Sequence, residues 1–152
     1  MVKIDDLDLT ILSELSADAN ISVPRLSKKI NANSSVVYSR IKRLVKNKLI
    51  ERFTIVVNDR ELGYGVKSLT GINMDSKQRD NVIDELFNIN EVREISEVTG
   101  RFDILVTIYA KTLDEMHKLL SESLGRINGV ISSESFIEMK RRIKPMPYKP
   151  KK

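Results

Sequence analysis

Arg40, Lys42, Arg43 and Lys46 place four cations within seven residues, with the hydroxyls of Ser34, Ser35 and Ser39 just before and among them. Guanidinium and ammonium groups at this density suit phosphates, while short hydroxyls and a small apolar side chain such as Val36 can meet base edges. Along Asn33–Leu49, at about 100° per residue, Val37, Ile41, Leu44 and Val45 fall on one side. Ser35, Ser39, Lys42, Arg43 and Lys46 spread over the other, which carries no acid of its own. The spacing predicts a helix with Asn33 as its N-cap, because the short amide side chain can accept from the first unpaired backbone N–H groups. Taken alone, a basic face of this kind is as readily a solvated surface as a binding one. What precedes it decides.

A second set of residues lies at Thr99-Gly100-Arg101-Phe102-Asp103. Gly100 permits a tight turn that exposes backbone N–H groups, and Asp103 sets a carboxylate beside them. Amides for a carboxylate and Asp103 for an ammonium would together suit a zwitterion. Ser133 and Ser135, sharing one side of a later strand, offer further hydroxyls. On the residues alone, a plain hairpin is the better reading, with Asp103 capping backbone and the serines as strand surface. His117 is the sole histidine and has no partner nearby in sequence, so it reads as structural or half-exposed.

Both sets need elements to position them. Leu7, Ile11, Leu12 and Leu15 recur at helical spacing behind Asp5, Asp6 and Asp8, whose charges suit the positive end of a helix dipole. Asp18-Ala19-Asn20 ends that helix. Ser22 can cap a second, short one that tolerates Pro24 in its first turn, buries Leu26 and Ile30, and leaves Arg25, Lys28 and Lys29 outside. Asn31 falls where a turn between two helices calls for a left-handed residue. Two short helices, a tight turn and a basic third helix form a helix-turn-helix, the arrangement that lays its last helix in the DNA major groove. This favours nucleic acid over a solvated face. Arg25 and Lys28 join the phosphate-facing group, and Ser35, Val36, Ser39 and Arg43 are the candidates for base contacts. Phe53, Ile55 and Val57 then alternate with polar neighbours and predict a wing or connecting strand, and Glu61–Gly65 reads as a linker.

From Val66 the pattern runs strand, helix, strand, strand, helix, strand: Val66–Met74; Val82, Ile83, Leu86 and Phe87; Glu94–Thr99; Phe102–Ile108; Leu113, Met116, Leu120, Leu124 and Ile127; Val130–Met139. This βαββαβ order predicts a ferredoxin-like antiparallel sheet with helices on one face. The other face needs a cover, for which a second copy of the chain is the natural candidate. The fold class is therefore α+β, with residues 1–60 as a winged helix-turn-helix domain, 61–65 as linker, 66–140 as an αβ sandwich, and 141–152 as a basic, Pro-rich extended tail.

Composition narrows the function. With 152 residues, 41% hydrophobic and 31% charged, the chain can bury two modest cores. No run approaches the roughly 18 apolar residues of a membrane helix, and the acidic N-terminus lacks a signal-peptide core, so a cytoplasmic, membrane-free protein is expected. The absence of cysteine excludes disulfides and thiolate metal sites, and one histidine cannot build a His-rich metal cluster. No metal, no cofactor and no catalytic residues are expected. Abundant Lys, Glu and Ile without Trp or Cys hint at a thermophile. The net charge of +5 is unevenly placed: residues 1–60 hold 11 bases and 7 acids, residues 61–139 hold 8 and 14, and residues 140–152 hold 7 and none. A polyanion should meet the front of the chain, with the tail as a possible helper.

Leu7-Asp8 before Ile11-Leu12, Asp18-Ala19-Asn20, Arg40-Ile41-Lys42-Arg43-Leu44, Leu49-Ile50 and Gly100-x-Phe102-Asp103, in this order, resemble the Lrp/AsnC family of bacterial and archaeal transcription regulators. The resemblance spans nearly the whole chain. It implies double-stranded DNA as partner, a homodimer assembling to an octamer, and an amino-acid effector near the Gly100–Asp103 turn. That implication reverses the plain-hairpin reading, and the hydroxyls of Thr99, Ser133 and Ser135 lean it toward glutamine. Lys48 and Asn31 stand where the family usually carries glycine. The alternatives are an architectural DNA-binding protein that ignores effectors, and a regulatory subunit of an amino-acid metabolic enzyme.

Overall fold

Asp5 opens the first helix by a reciprocal cap: its carboxylate accepts the Asp8 N–H at 3.1 Å, and Asp8 accepts the Asp5 N–H at 3.1 Å. The computed structural model describes residues 3–144 and 148, and within it the chain divides into two compact units at Val56/Val57, with residues from Arg142 onward grouped with the first. Of the extended tail expected over 141–152, residues 145–147 and 149–152 fall outside the described residues.

The first unit holds α1 (Asp6–Ala17), α2 (Val23–Lys29) and α3 (Ser34–Lys46). Ile11, Leu15, Leu26, Val37 and Leu44 are its buried core, with Leu7, Leu12, Ile30, Ile41, Leu49 and Ile50 packed around them. Val45 is exposed instead, because helical rotation carries it past the edge of the apolar stripe. Ser22 occupies the N-cap position of α2 but makes no side-chain cap, and Pro24 sits in the first turn as expected. Both α2 and α3 end in the same way. The Asn31 N–H donates to Lys28 O and the Ala32 N–H to Ser27 O; the Lys48 N–H donates to Val45 O and the Leu49 N–H to Leu44 O. Each is a Schellman motif, which needs a left-handed residue after the C-cap, and Asn31 (φ 52°) and Lys48 (φ 55°) supply it without glycine. Past Ile50 the expected strand does not form. Among the described residues, 51–58 pair with no strand, and Phe53, Ile55, Val56 and Val57 stand exposed. Alternation specifies a strand only where an edge is present to pair with it.

The second unit is a four-stranded antiparallel sheet in the order β2-β3-β1-β4, from β1 (Val66–Met74), β2 (Val92–Glu97), β3 (Ile104–Ala110) and β4 (Val130–Ile137). With α4 (Arg79–Phe87) and α5 (Leu113–Lys118, continued by a π turn to Ser123 and a 3-10 turn to Arg126), this is the ferredoxin-like βαββαβ order. Ile72, Ile104, Val106 and Ile108 bury one sheet face against Val82, Leu86, Met116, Leu124 and Ile127. Phe87 and Leu113, expected on the inner stripes, end their helices exposed. Ser68 and Thr70 are fully buried on the same face; Ser68 Oγ lies 2.9 Å from Thr70 Oγ1, which lies 2.9 Å from Ser135 Oγ. The opposite face presents Leu69 and Phe136 to solvent.

A lysine in the left-handed region costs about 1 kcal/mol relative to glycine. Lys48→Gly should therefore raise the denaturant midpoint by a corresponding amount; a lowered midpoint would mean that the lysine side chain contributes more than its backbone conformation costs.

Candidate nucleic-acid interface and effector turn

α3 begins where Asn33 Oδ1 accepts the Ser35 N–H at 2.9 Å and the Ser35 hydroxyl at 2.7 Å. Ser34 Oγ lies 2.7 Å from Ser27 Oγ, whose residue is buried, so one hydroxyl pair ties the end of α2 to the start of α3. The hydroxyls of Ser34 and Ser35 thus already have partners within the turn.

The cations divide into two groups. Arg40 Nη1 donates to both oxygens of Asp8 at 3.2 Å and also to Asp5, while Arg43 Nη2 donates to Asp8. Asp8 is fully buried, so its carboxylate joins α1 to α3 through two guanidiniums. The hydrogen bond from Arg40, and then the Asp8 N–H, hold the Asp5 carboxyl below its ordinary 3.8, and the same carboxylates hold the Arg40 guanidinium in its charged form. Arg43 Nε is buried with no partner among the described residues. These two arginines, expected on the outer face, spend their charge inside the unit because the acids of α1 fold against them. Lys42 and Lys46 are exposed and, among the described residues, meet no carboxylate; nor do Arg25 and Lys28 of α2. Val36 and Ser39 are exposed beside them. The Lys42 ammonium lies 4.7 Å from the centre of the half-exposed Tyr38 ring, one helical turn back. Tyr38 was not among the expected site residues. Its four-residue spacing from Lys42 was the available cue. The outer surface of α3 is accordingly Ser35, Val36, Tyr38, Ser39, Lys42 and Lys46.

In the second unit, the turn between β2 and β3 folds over the open sheet face. A Cβ on Gly71 would come within 2.4 Å of the Phe102 ring, so Phe102 occupies the space that a side chain there would take. Arg101 sits 5.3 Å from that ring and pairs with Glu134 of β4 at 2.8 Å. The register sets Glu134 opposite Gly71, on the face that Phe102 covers. Ser135 points the other way, to buried Thr70, and Ser133 shares its side. The structure thus brings Glu134 to the turn and not the two serines. Asp103 Oδ2 accepts the Met74 N–H at 2.9 Å, and the Asp103 N–H donates to Ile72 O at 3.0 Å, which is the backbone-capping role of the plain hairpin. Thr99 and Gly100 are exposed, with Gly100 at φ 135°. His117 is exposed on α5. No helix among the described residues is long and apolar enough to cross a membrane.

A helix-turn-helix joined to a ferredoxin-like sheet defines a two-part regulator, one half for DNA and one for a small ligand. Residues 4–51 match the family model described as winged helix-turn-helix DNA-binding, and residues 68–148 match the Lrp/AsnC ligand binding domain. The transcriptional regulator AzlB of Bacillus subtilis is 32% identical over 148 residues, which span 93% of this chain and 94% of that one. The structure of E. coli AsnC aligns with a TM-score of 0.86 at 24% identity, covering 97% of this chain and 99% of that one. A regulator of Neisseria meningitidis, solved as a complex with L-Met, aligns at 0.89 and 16% identity, covering 95% and 96%. The chain belongs to the Lrp/AsnC family of DNA-binding transcriptional regulators.

Removing a buried carboxylate that serves two arginines leaves uncompensated charge, and such losses are on the order of 3 kcal/mol. Asp8→Asn should lower the stability of the first unit by that order in denaturant melts, whereas Lys42→Ala should shift it by less than about 0.5 kcal/mol. Because the Asp5 pKa is depressed, its contribution is fully present above 3.8 and is lost as pH falls through the folded-state value. Asp5→Asn should flatten that acid limb.

Proposed function

We propose that the outer surface of α3 enters the major groove with Ser35, Val36 and Ser39 toward base edges and Lys42 and Lys46, helped by Arg25 and Lys28, on phosphates. The observation that carries this reading is that, among the described residues, these cations face no carboxylate, while Arg40 and Arg43 are engaged by Asp5 and Asp8. Arg40 and Arg43 then act by orienting α3 against α1, and Ser34 by fixing its start through Ser27. Removing one cation from a phosphate lowers the slope of log affinity against log salt by about 0.9. Lys42→Ala and Lys46→Ala should each do so, and slopes that stay at the wild-type value would reject α3 as the reading helix.

The other half of the function is an α-amino-acid effector held at the Thr99–Asp103 turn. The likeness in fold to a regulator solved with L-Met supports the ligand class. The Arg101–Glu134 pair supports the mode: the effector's carboxylate takes Arg101 and its ammonium takes Glu134, so a zwitterion replaces an ion pair with no net charge change. The turn at Gly100 offers backbone N–H groups, and Phe102 shields the site from water. Asp103 keeps its bond to Met74, so truncating it would disturb the sheet as well as the ligand site. With Ser133 and Ser135 on the other face, only Thr99 still favours glutamine. Effector binding favours one quaternary state of a dimer-built octamer over another through differential affinity, and the exposed sheet face and residues 53–57 are the surfaces available for pairing with a second copy. The function is binding rather than catalysis. In a thermal-shift screen of the twenty amino acids, the cognate one at 100 times its Kd should stabilise the wild type by about 2.7 kcal/mol. Arg101→Ala and Glu134→Gln should each abolish that shift; if both variants respond as wild type does, the site is elsewhere.

A further inference from the structure

Val57–Arg141 is an acidic unit, 15 acids against 11 bases, so a local excess of cations on it calls for a reason. Such an excess lies where the chain leaves β4. Two adjoining open pockets share Arg60, Glu138 and Arg141; one, of about 200 Å³, extends to Lys67, Tyr64 and Tyr109, and the other extends to Lys140. The acids here are Glu138 and Asp59, and Glu138 already holds Lys67 at 2.9 Å. Among the described residues Arg60, Lys140 and Arg141 have no ion-pair partner, and all three are exposed. Arg93 lies 5.5 Å from the ring centre of Tyr64, which lines the first pocket, and Lys67 lies 5.8 Å from that of Tyr109. No acid follows Glu138 in the sequence.

A small anion needs donors that converge in an enclosed cage. Exposed cations spread across two open pockets instead match a long, repeating charge such as a duplex backbone, which is held by counterion release rather than by a fitted cavity. We propose that Arg60, Lys140 and Arg141 form a second duplex-binding surface, on the ligand-binding half of the chain, that grips the phosphates flanking the sequence read by α3. This rests on the reading of α3 given above. The surface adds affinity without adding sequence information, since it reaches phosphates only.

The test uses the full chain and a duplex that it selects from a random-sequence pool, either trimmed to the base pairs whose identity the selection fixes or left with flanks. The wild type should show a steeper log affinity against log salt slope on the flanked duplex. The Lys140→Gln/Arg141→Gln double variant should lose about 1.8 from that slope, at about 0.9 per phosphate, and keep the trimmed-duplex slope unchanged. A Lys46→Ala control should lower both slopes. Equal wild-type slopes on the two duplexes, or a double variant that retains the steeper slope, would overturn this surface while leaving α3 as reader. A wild-type chain that selects no duplex would overturn both. Should the double variant misfold, acetylation of the wild type decides: Lys140 should be protected by the flanked duplex and not by the trimmed one, and equal reactivity in both rejects the proposal.

Discussion

The buried carboxylate of Asp8 is the interaction on which the DNA-binding half depends. It caps the start of α1, and it receives Arg40 and Arg43 from α3. A charge without solvent must be surrounded by donors, and here they are the Asp5 N–H at the start of its own helix and two guanidiniums from α3. The angle between α1 and α3 is therefore set by an electrostatic requirement as well as by the apolar contacts of Ile11, Val37 and Leu44. The same requirement decides which cations remain outside. Two of the four in Arg40–Lys46 are consumed in holding the helix, and the other two are left at the surface it presents.

The two ends of α3 show a related economy. A Schellman turn before it and another after it fix where the helix starts and stops, and in both the left-handed residue carries a side chain. Asparagine adopts that conformation with little penalty; lysine does so at some cost. The recognition helix is thus bounded by local backbone geometry, oriented by Asp8 and anchored by the Ser27–Ser34 hydroxyl pair. These constraints act on different parts of the helix, and none of them uses its outer side chains.

Much of this was legible in the sequence because it depends on local pattern. The three N-terminal helices, the Asn33 cap, the left-handed Asn31 and the βαββαβ order follow from periodicity and turn chemistry. What was not legible depends on contacts distant in sequence. Arg40 and Arg43 read as outward cations until the fold brings Asp5 and Asp8, more than thirty residues earlier, against them. Ser133 and Ser135 look like ligand partners until the register of β4 sends them to the helix side and brings Glu134 to the turn. Residues 53–57 have strand alternation, but a strand is a property of two edges, and none of the described residues pairs with them. The family resemblance covered the chain's class and its turn; it did not supply these pairings.

In the row Ser68–Thr70–Ser135, each hydroxyl can give one proton and accept others, and the two 2.9 Å contacts are satisfied with the protons running in either direction. In one sense Ser135 gives its proton inward and turns only lone pairs to the outer edge of β4; in the other it receives a proton and has its own to offer there. The polarity shown at that edge is thus a property of the whole row, reset by rotating three O–H bonds with no movement of the backbone.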